Sequence, residues 1–286
     1  MSDTALTPDE IASEAERIGK GAGQILLKYF DKLQPGQVEV KSSHRDLLSV
    51  ADSECEDYVI ESIRSKFPSH SILGEENGFI DAGSDYCWVI DPLDGTTNFV
   101  HSIPMFATSI GVLFKGEPLV GIVEAPYLGE SFMAAKGSGC HLNGVRCEVS
   151  QTTELSHTIL ATGFSYNRNN VSRNNIDNFS KLILSTHDLR RGGAASLDLA
   201  YVAAGRYDGF WEPYLSPWDV AAGVLLVTEA GGCVSDYAGS ELASNYVWQE
   251  NIIATNGKIH AQVKGELSGV EEGYKSKYAD YSKHWT

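Results

Sequence analysis

Basic residues are scarce in this chain. Against 38 Asp and Glu stand 22 Lys and Arg, a formal net charge of −16. That balance argues against nucleic-acid or membrane-surface binding, both of which need clustered positive charge, and it raises the local concentration of divalent cations. Long apolar runs are also missing: none approaches the roughly 20 residues that a helix needs to cross a bilayer. Met1-Ser2-Asp3-Thr4 lacks the basic start and apolar core of a secretion signal, so a cytoplasmic protein is expected. Cys55, Cys87, Cys140, Cys147 and Cys233 are odd in number and form no CxxC pair, which points to buried, reduced thiols rather than a disulfide framework or a zinc site. There is no internal repeat and no low-complexity linker.

What is present suits a globular chain. Hydrophobic residues fill 42% of 286 positions, enough for a full core in one large domain or two closely packed halves. Thr7-Pro8-Asp9-Glu10 is a capping box with Pro at the first helical position, opening an amphipathic helix to about Phe30. A second helix is predicted over 52–66, ended by Phe67-Pro68. Over 105–149 short strands alternate with turns, of which Asn143-Gly144 is a type I′ hairpin signal. Beyond about Ser150 the order is strand (158–162), helix (171–187), helix (194–204) and strand (207–211), an α/β pattern. The expected division is an α+β half over 1–150, an α/β half over 151–268 and a tail over 269–286.

The stretch Asp91-Pro92-Leu93-Asp94-Gly95-Thr96-Thr97-Asn98-Phe99 carries the most chemistry. Tyr86-Cys87-Trp88-Val89-Ile90 before it reads as a buried strand, which puts Asp91 at a strand end. Pro92 fixes its own φ and turns the chain, so that Asp94 comes back toward Asp91. Two acids in one small volume repel unless a proton or cation lies between them, and hard oxygen ligands select Mg²⁺ over softer metals. Gly95 and Thr96 offer backbone N–H groups without bulk, and a helix starting there would aim them at an anion. An Asp-Pro turn with a helix cap would explain any one of these residues, but not all of them together. Glu75 follows a strand-like run and a glycine. Asp219, with Ser216-Pro217 before it, falls in the first turn of a helix; alone, it would be an acid favoured by the helix dipole by ~0.3–1 kcal/mol.

These motifs resemble the inositol monophosphatase family, part of the wider group of Mg²⁺-dependent, lithium-sensitive phosphatases that includes fructose-1,6-bisphosphatases. Ile72-Leu73-Gly74-Glu75-Glu76 matches the family's first acidic motif and Ser216-Pro217-Trp218-Asp219-Val220-Ala221-Ala222-Gly223 its second signature. Lys41-Ser42-Ser43, Asp46-Leu47, Asp52 and Gly192-Gly193-Ala194-Ala195-Ser196-Leu197-Asp198 fall in the expected order, so the match runs from about Ile11 to about Val263. The resemblance implies a layered αβαβα sandwich, a homodimer, and two or three Mg²⁺ per site. Glu75, Asp91 and the Leu93 carbonyl would hold the first ion; Asp91 would bridge to a second with Asp94 and Asp219.

Hydrolysis of a phosphate ester needs the attacking water and the leaving alkoxide stabilised together, which two cations do. On the family's pattern Thr96 and Glu75 would orient the water, Asp52 would hold Thr96, and Gly95 and Thr96 N–H groups would bind phosphoryl oxygens. Glu212, Asp94 and the Ala195 backbone would cradle a polyol, and Lys41 would belong to a mobile loop closing over the metals. Cysteines and histidines receive no role; His44, His101 and His141 read as structural or solvated. Thr97 points to an inositol phosphate, because relatives acting on histidinol phosphate or adenosine bisphosphate often carry Lys or Arg there; Ala194 departs from the Thr or Ser of many relatives. The expected substrate is myo-inositol 1-phosphate. The alternatives are histidinol phosphate, fructose 1,6-bisphosphate or adenosine 3′,5′-bisphosphate, and, in another class, a protein-binding accessory of the kind some bacterial relatives form in transcription complexes.

Overall fold

The structure is a computed structural model that describes residues 7–34, 36–41, 47–238 and 251–267. Ser42, Ser43, His44 and Asp46, and the 269–286 tail, lie outside the described residues. Helix α1 (Pro8–Tyr29) starts where the capping box predicts: Thr7 Oγ1 accepts from Glu10 N at 3.3 Å and the Glu10 carboxylate accepts from Thr7 N at 2.8 Å. Its Ile11, Ala15, Ile18, Ala22 and Leu26 recur at helical spacing and are all buried. A small antiparallel pair, β1 (Val38–Val40) and β2 (Leu47–Ser49), leads into α2 (Val50–Lys66). That helix begins ahead of the predicted Asp52 because Ser49 caps it, with Asp52 as the reciprocal partner.

The first large sheet comprises β3 (Ser71–Gly74), β4 (Gly78–Ile80), β5 (Tyr86–Asp94), β6 (Ala107–Phe114), β7 (Glu117–Ala125), β8 (Glu130–Ala135), β9 (Gly139–Leu142) and β10 (Val145–Cys147), with short helix α3 (Thr96–Val100) after β5. Its order is β10-β9-β8-β7-β6-β5-β3-β4, antiparallel except for β3 beside β5. Asn143 and Gly144, at φ 50° and 77°, form the predicted β9–β10 turn, since a type I′ turn needs positive φ at both central residues. The strand ahead of the motif runs farther than predicted. Pairing to β6 continues through Asp91 opposite Ser109 and Asp94 opposite Ala107, with a register shift between them. Asp91 is therefore inside β5 rather than at its end; Pro92, which cannot donate to a ladder, sits in the irregularity.

The second sheet is built from β11 (Ile159–Thr162), β12 (Asp188–Arg190), β13 (Gly209–Pro213), β14 (Cys233–Ser235) and β15 (Asn251–Thr255), in the order β12-β11-β13-β15-β14. Its helices are α4 (Ile176–Ser185), α5 (Ala195–Ala203), α6 (Pro217–Glu229) and α7 (His260–Glu266). α4 is shorter than the predicted 171–187. Asn175, buried in the left-handed region at φ 73°, donates to Thr162 Oγ1 and the Gly163 carbonyl and accepts from Trp211 Nε1, which fixes the chain against the sheet before the helix can begin.

Helices α1 and α2 cover one face of the large sheet, α5 and α6 lie between the two sheets, and α4 and α7 cover the far face of the second. This is the expected αβαβα sandwich. The middle core joins Val123 and Phe132 of the first sheet to Leu199, Leu226 and Phe210. α6 lies close on the first sheet because Gly111 and Gly121 face it without side chains. A Cβ at either would come within 2.6 Å of Ala221 or Ala222.

Candidate active site

A cavity of about 770 Å³ opens where the end of β5, the starts of α3, α5 and α6, and the end of β13 meet. Its lining includes Lys41, Glu75, Asp91, Leu93, Asp94, Gly95, Thr96, Ala195, Glu212 and Asp219. Every site residue expected from the sequence thus reaches it except Asp52, which is buried behind Thr96, the Thr96 hydroxyl lying 3.2 Å from Asp52 Oδ1. The Thr96 hydroxyl also donates to the Leu93 carbonyl at 3.0 Å. Gly95 makes the bend into α3 at φ 91°, and its Cα faces the Met105 carbonyl so closely that a Cβ would lie 2.8 Å from that oxygen.

The acids are held by backbone and hydroxyl donors. Asp94 accepts from Ser196 N at 2.7 Å, Ser196 Oγ at 2.6 Å and Ala195 N at 3.2 Å, so the start of α5 grips it across the two sheets. Of the Ala195 backbone, expected to help cradle a polyol, the N–H is directed at Asp94 here. Asp91 Oδ1 accepts from Leu93 N at 3.0 Å, and the Asp219 carboxylate accepts from Ser216 N at 2.6 Å. Asp52 Oδ2 takes both Ser49 N and Ser49 Oγ. Lys41 is drawn in from the rim to Glu75, at 3.1 Å, and to Glu76.

Burial and mutual repulsion set the electrostatics. Asp91 is raised well above the ordinary carboxylate range, first by burial and then by Glu75, Asp94 and Asp219. Asp219 is raised in the same way by burial and Asp94, and Asp94 is raised by burial against the pull of Ser196. Burial carries Asp52 to about 6 and Glu75 to about 7, although a quarter of the Glu75 side chain is still accessible; we attribute the shift to its depth among cavity walls. For Lys41, burial opposes the charge, but Glu75 and Glu76 outweigh it and hold the amine above its usual value. Such a cluster favours protons or cations over bare carboxylates. The groups beside Asp91 able to ligate a metal, among the described residues that line the cavity, are oxygens, with no histidine or cysteine, which suits a hard divalent ion. Among the described residues no three acidic, histidine or cysteine groups close on one point as they stand; Glu75 is turned to Lys41 and Asp94 to Ser196.

Glu212 lines the same cavity and repels Asp94 and Asp219. It is the penultimate residue of β13, lies against Gly163 and is carried to about 8 by burial, with Arg191 opposing. Near it lies Asp198, 1% exposed, whose Oδ1 has no hydrogen-bond partner among the described residues. Ser196 and Asp198 fall in the matched 192–198 stretch but received no role from it, and Arg191 and the wall formed by Phe164, Tyr166 and Tyr214 had no motif to mark them; for Arg191 the Arg190-Arg191 pair ahead of two glycines was the one available signal. Thr97 is exposed and does not line the cavity, so the substrate argument built on it has no contact to support it.

The comparisons with known proteins point the same way. The model of the inositol monophosphatase family matches residues 7–271. The chain is 41% identical over 266 residues to an inositol-1-monophosphatase from Synechocystis sp. PCC 6803, covering 93% of this chain and 90% of that protein. It is 45% identical over 251 residues to a protein named Nus factor SuhB from Pseudomonas aeruginosa PAO1, covering 85% and 90%. The structure of inositol monophosphatase from Anabaena sp. PCC 7120 superposes with a TM-score of 0.81 at 42% identity, over 91% of this chain and 96% of that one. With its sandwich fold and its acid-lined cavity at the junction of the two sheets, this chain belongs to the inositol monophosphatase family and is a phosphomonoesterase.

Proposed function

We propose that the enzyme hydrolyses a small polyol phosphate, myo-inositol 1-phosphate in the first place, and that it works with Mg²⁺ held by Glu75, Asp91, the Leu93 carbonyl, Asp94 and Asp219. The observation that carries the reading is that one cavity is lined both by the mutually repelling set around Asp91 and by Glu212, which lies beside Asp198 and Arg191 and also feels Asp94 and Asp219. When bound, divalent cations supply an activated water and neutralise phosphoryl charge.

The chain's own residues supply position. The Thr96 hydroxyl, tied to the Leu93 carbonyl and Asp52, has an oxygen lone pair with which to accept a proton of the attacking water, and Glu75 faces the same space. Gly95 and Thr96 turn backbone at the cavity wall where phosphoryl oxygens would rest. Glu212, which burial carries to about 8, is ionised above that pH and then accepts a ring hydroxyl of the leaving group, a contact worth about 1.5–3 kcal/mol.

The test is a comparison of inositol 1-phosphate, histidinol phosphate, fructose 1,6-bisphosphate and adenosine 3′,5′-bisphosphate at fixed Mg²⁺, with and without EDTA and lithium. A preference for inositol 1-phosphate that EDTA abolishes and lithium weakens supports the reading. A clear preference for one of the others overturns the substrate, and full activity in EDTA overturns the metal scheme.

A homodimer in the cytoplasm belongs to the same proposal. α4 leaves Ile176, Ile183 and Leu184 exposed, Leu184 at 87%, a face that a second copy would cover. Leu184→Lys should then shift sedimentation toward monomer. A protein-binding role, prompted by the relative named a Nus factor, would favour eroded acids, and Glu75, Asp91, Asp94 and Asp219 are all present.

A further inference from the structure

Away from the cavity, β9 and β10 place Cys140 directly opposite Cys147. Their Sγ atoms lie 3.4 Å apart, within hydrogen-bond reach. Directly opposed residues of an antiparallel pair hold their Cβ atoms about 4.5–5.5 Å apart, close to the roughly 3.5–4.5 Å of a disulfide, so a small rotation of the side chains suffices to join the sulfurs. The type I′ turn at Asn143-Gly144 fixes this register, because a slip by one residue would send the two side chains to opposite faces.

We propose that Cys140 and Cys147 form a reversible dithiol–disulfide site that takes a hydroperoxide as oxidant and a cellular dithiol as reductant. The two cysteines differ in the way an attacking and a resolving thiol must. Cys147 is partly exposed on the edge strand, and its thiol is held below the ordinary value by the hydrogen bond shared with Cys140 and by Arg206, against partial burial and Glu148. Cys140 is fully buried, and the pair's hydrogen bond and burial keep it protonated. Once Cys147 ionises, the Cys140 thiol is the donor to it. Arg206 is itself fixed by Glu130 at 2.8 Å and by the Tyr201 ring, so its charge beside Cys147 is a built feature rather than a passing contact. Cys55 and Cys87 offer a contrast within the same molecule: both are fully buried, and burial pushes both thiols up.

The chemistry balances in two steps. The Cys147 thiolate attacks one oxygen of the hydroperoxide; the O–O bond breaks, sulfur is oxidised to a sulfenic acid, and the other oxygen leaves as hydroxide or alkoxide and takes up a proton. The Cys140 sulfur then attacks the sulfenic sulfur, forming the S–S bond and breaking S–O, and its proton leaves with the hydroxyl as water. A dithiol reverses the result by exchange, itself becoming a disulfide.

The sequence supplies a convenient test. Arg146 lies between the two cysteines, and Lys136 and Arg168 flank them, so trypsin separates 137–146 from 147–168. The full-length protein is exposed to stoichiometric hydrogen peroxide, alkylated and digested without reductant. The two peptides should appear as one linked species that dithiothreitol splits, while Cys55 and Cys87 are recovered intact. In Cys140→Ser, which lacks the resolving thiol, a dimedone adduct should accumulate on Cys147 several-fold over the parent protein. In Cys147→Ser, Cys140 should stay alkylatable after peroxide, and this half-exposed position keeps the proposal testable should the buried replacement fail to fold. Separate peptides with Cys147 carried to sulfinic acid, linkage of either thiol to Cys233 or to another chain, or peroxide loss of Cys140 in Cys147→Ser would each overturn the assignment.

Discussion

The Ser196 hydroxyl is fully buried and donates to Asp94 at 2.6 Å, beside the backbone N–H of the same residue. Ser196→Ala takes a fully buried donor from Asp94, which costs about 1–3 kcal/mol. Urea unfolding should show a lower midpoint, and kcat should fall because Asp94 loses the contact that orients it. Unchanged values of both would show the hydroxyl to be idle. Glu212→Gln belongs at the same scale. Measured above pH 8, where Glu212 is ionised, losing a charged acceptor worth about 1.5–3 kcal/mol should cut kcat/KM for inositol 1-phosphate by about ten- to a hundredfold, while p-nitrophenyl phosphate, poor in hydroxyls, is barely affected. Equal losses on both substrates would place Glu212 in support of the fold or the metals. The acids could be read from the sequence because each stands in a motif with a turn or cap beside it. The roles of Ser196, Arg191 and Asp198 could not, though the first and last fall in a matched stretch, since their importance lies in what the fold brings against them: Asp94 for Ser196, and Glu212 for the other two.

Elements that announce themselves by local chemistry were legible: the capped start of α1, the Asn143-Gly144 turn, and the Pro-led start of α6. The misjudged boundaries have tertiary causes. β5 continues past Ile90 because β6 keeps pairing with it, and α4 starts late because Asn175 is bonded to Thr162, Gly163 and Trp211, residues remote in sequence. Equally hidden was the contact that sets α6 on the sheet. Gly111→Ala or Gly121→Ala forces a methyl group into a space 2.6 Å from the helix, and overpacking of this kind costs typically about 1–3 kcal/mol. Because α6 carries Asp219, turnover should fall along with the unfolding midpoint. A stable variant with full activity would show that the helix can shift without disturbing the cavity.

For the molecule as a whole, the acids tie stability to pH. Asp52, Glu75 and Glu212 sit at about 6, 7 and 8, and Asp91, Asp94 and Asp219 are also raised. A carboxyl raised in the folded state binds its proton more tightly there than in the unfolded chain. Its contribution is therefore complete below the ordinary carboxylate value and is lost as pH rises through the folded one. In EDTA the contribution of these groups should decline from about pH 4 to about pH 8. Mg²⁺, by binding the folded form alone, should raise the melting temperature more at pH 8 than at pH 5. Thermal scans at both pH values with and without Mg²⁺ decide this; an equal rise at both would mean that the cluster does not bind the ion as charged carboxylates.

Asp52 and Asp219 each accept a hydrogen bond from the residue that begins their own helix, Ser49 for α2 and Ser216 for α6. The practical consequence falls on anyone needing an inert version of this enzyme, for instance to trap a substrate complex. Asp→Ala at either position would loosen a helix start as well as the chemistry, by about 0.5–2 kcal/mol for a lost cap, so the crippled protein would be a poor likeness of the working one. Glu75 holds Lys41 and Glu75→Gln leaves every helix start intact. It is the position from which to build a faithful decoy.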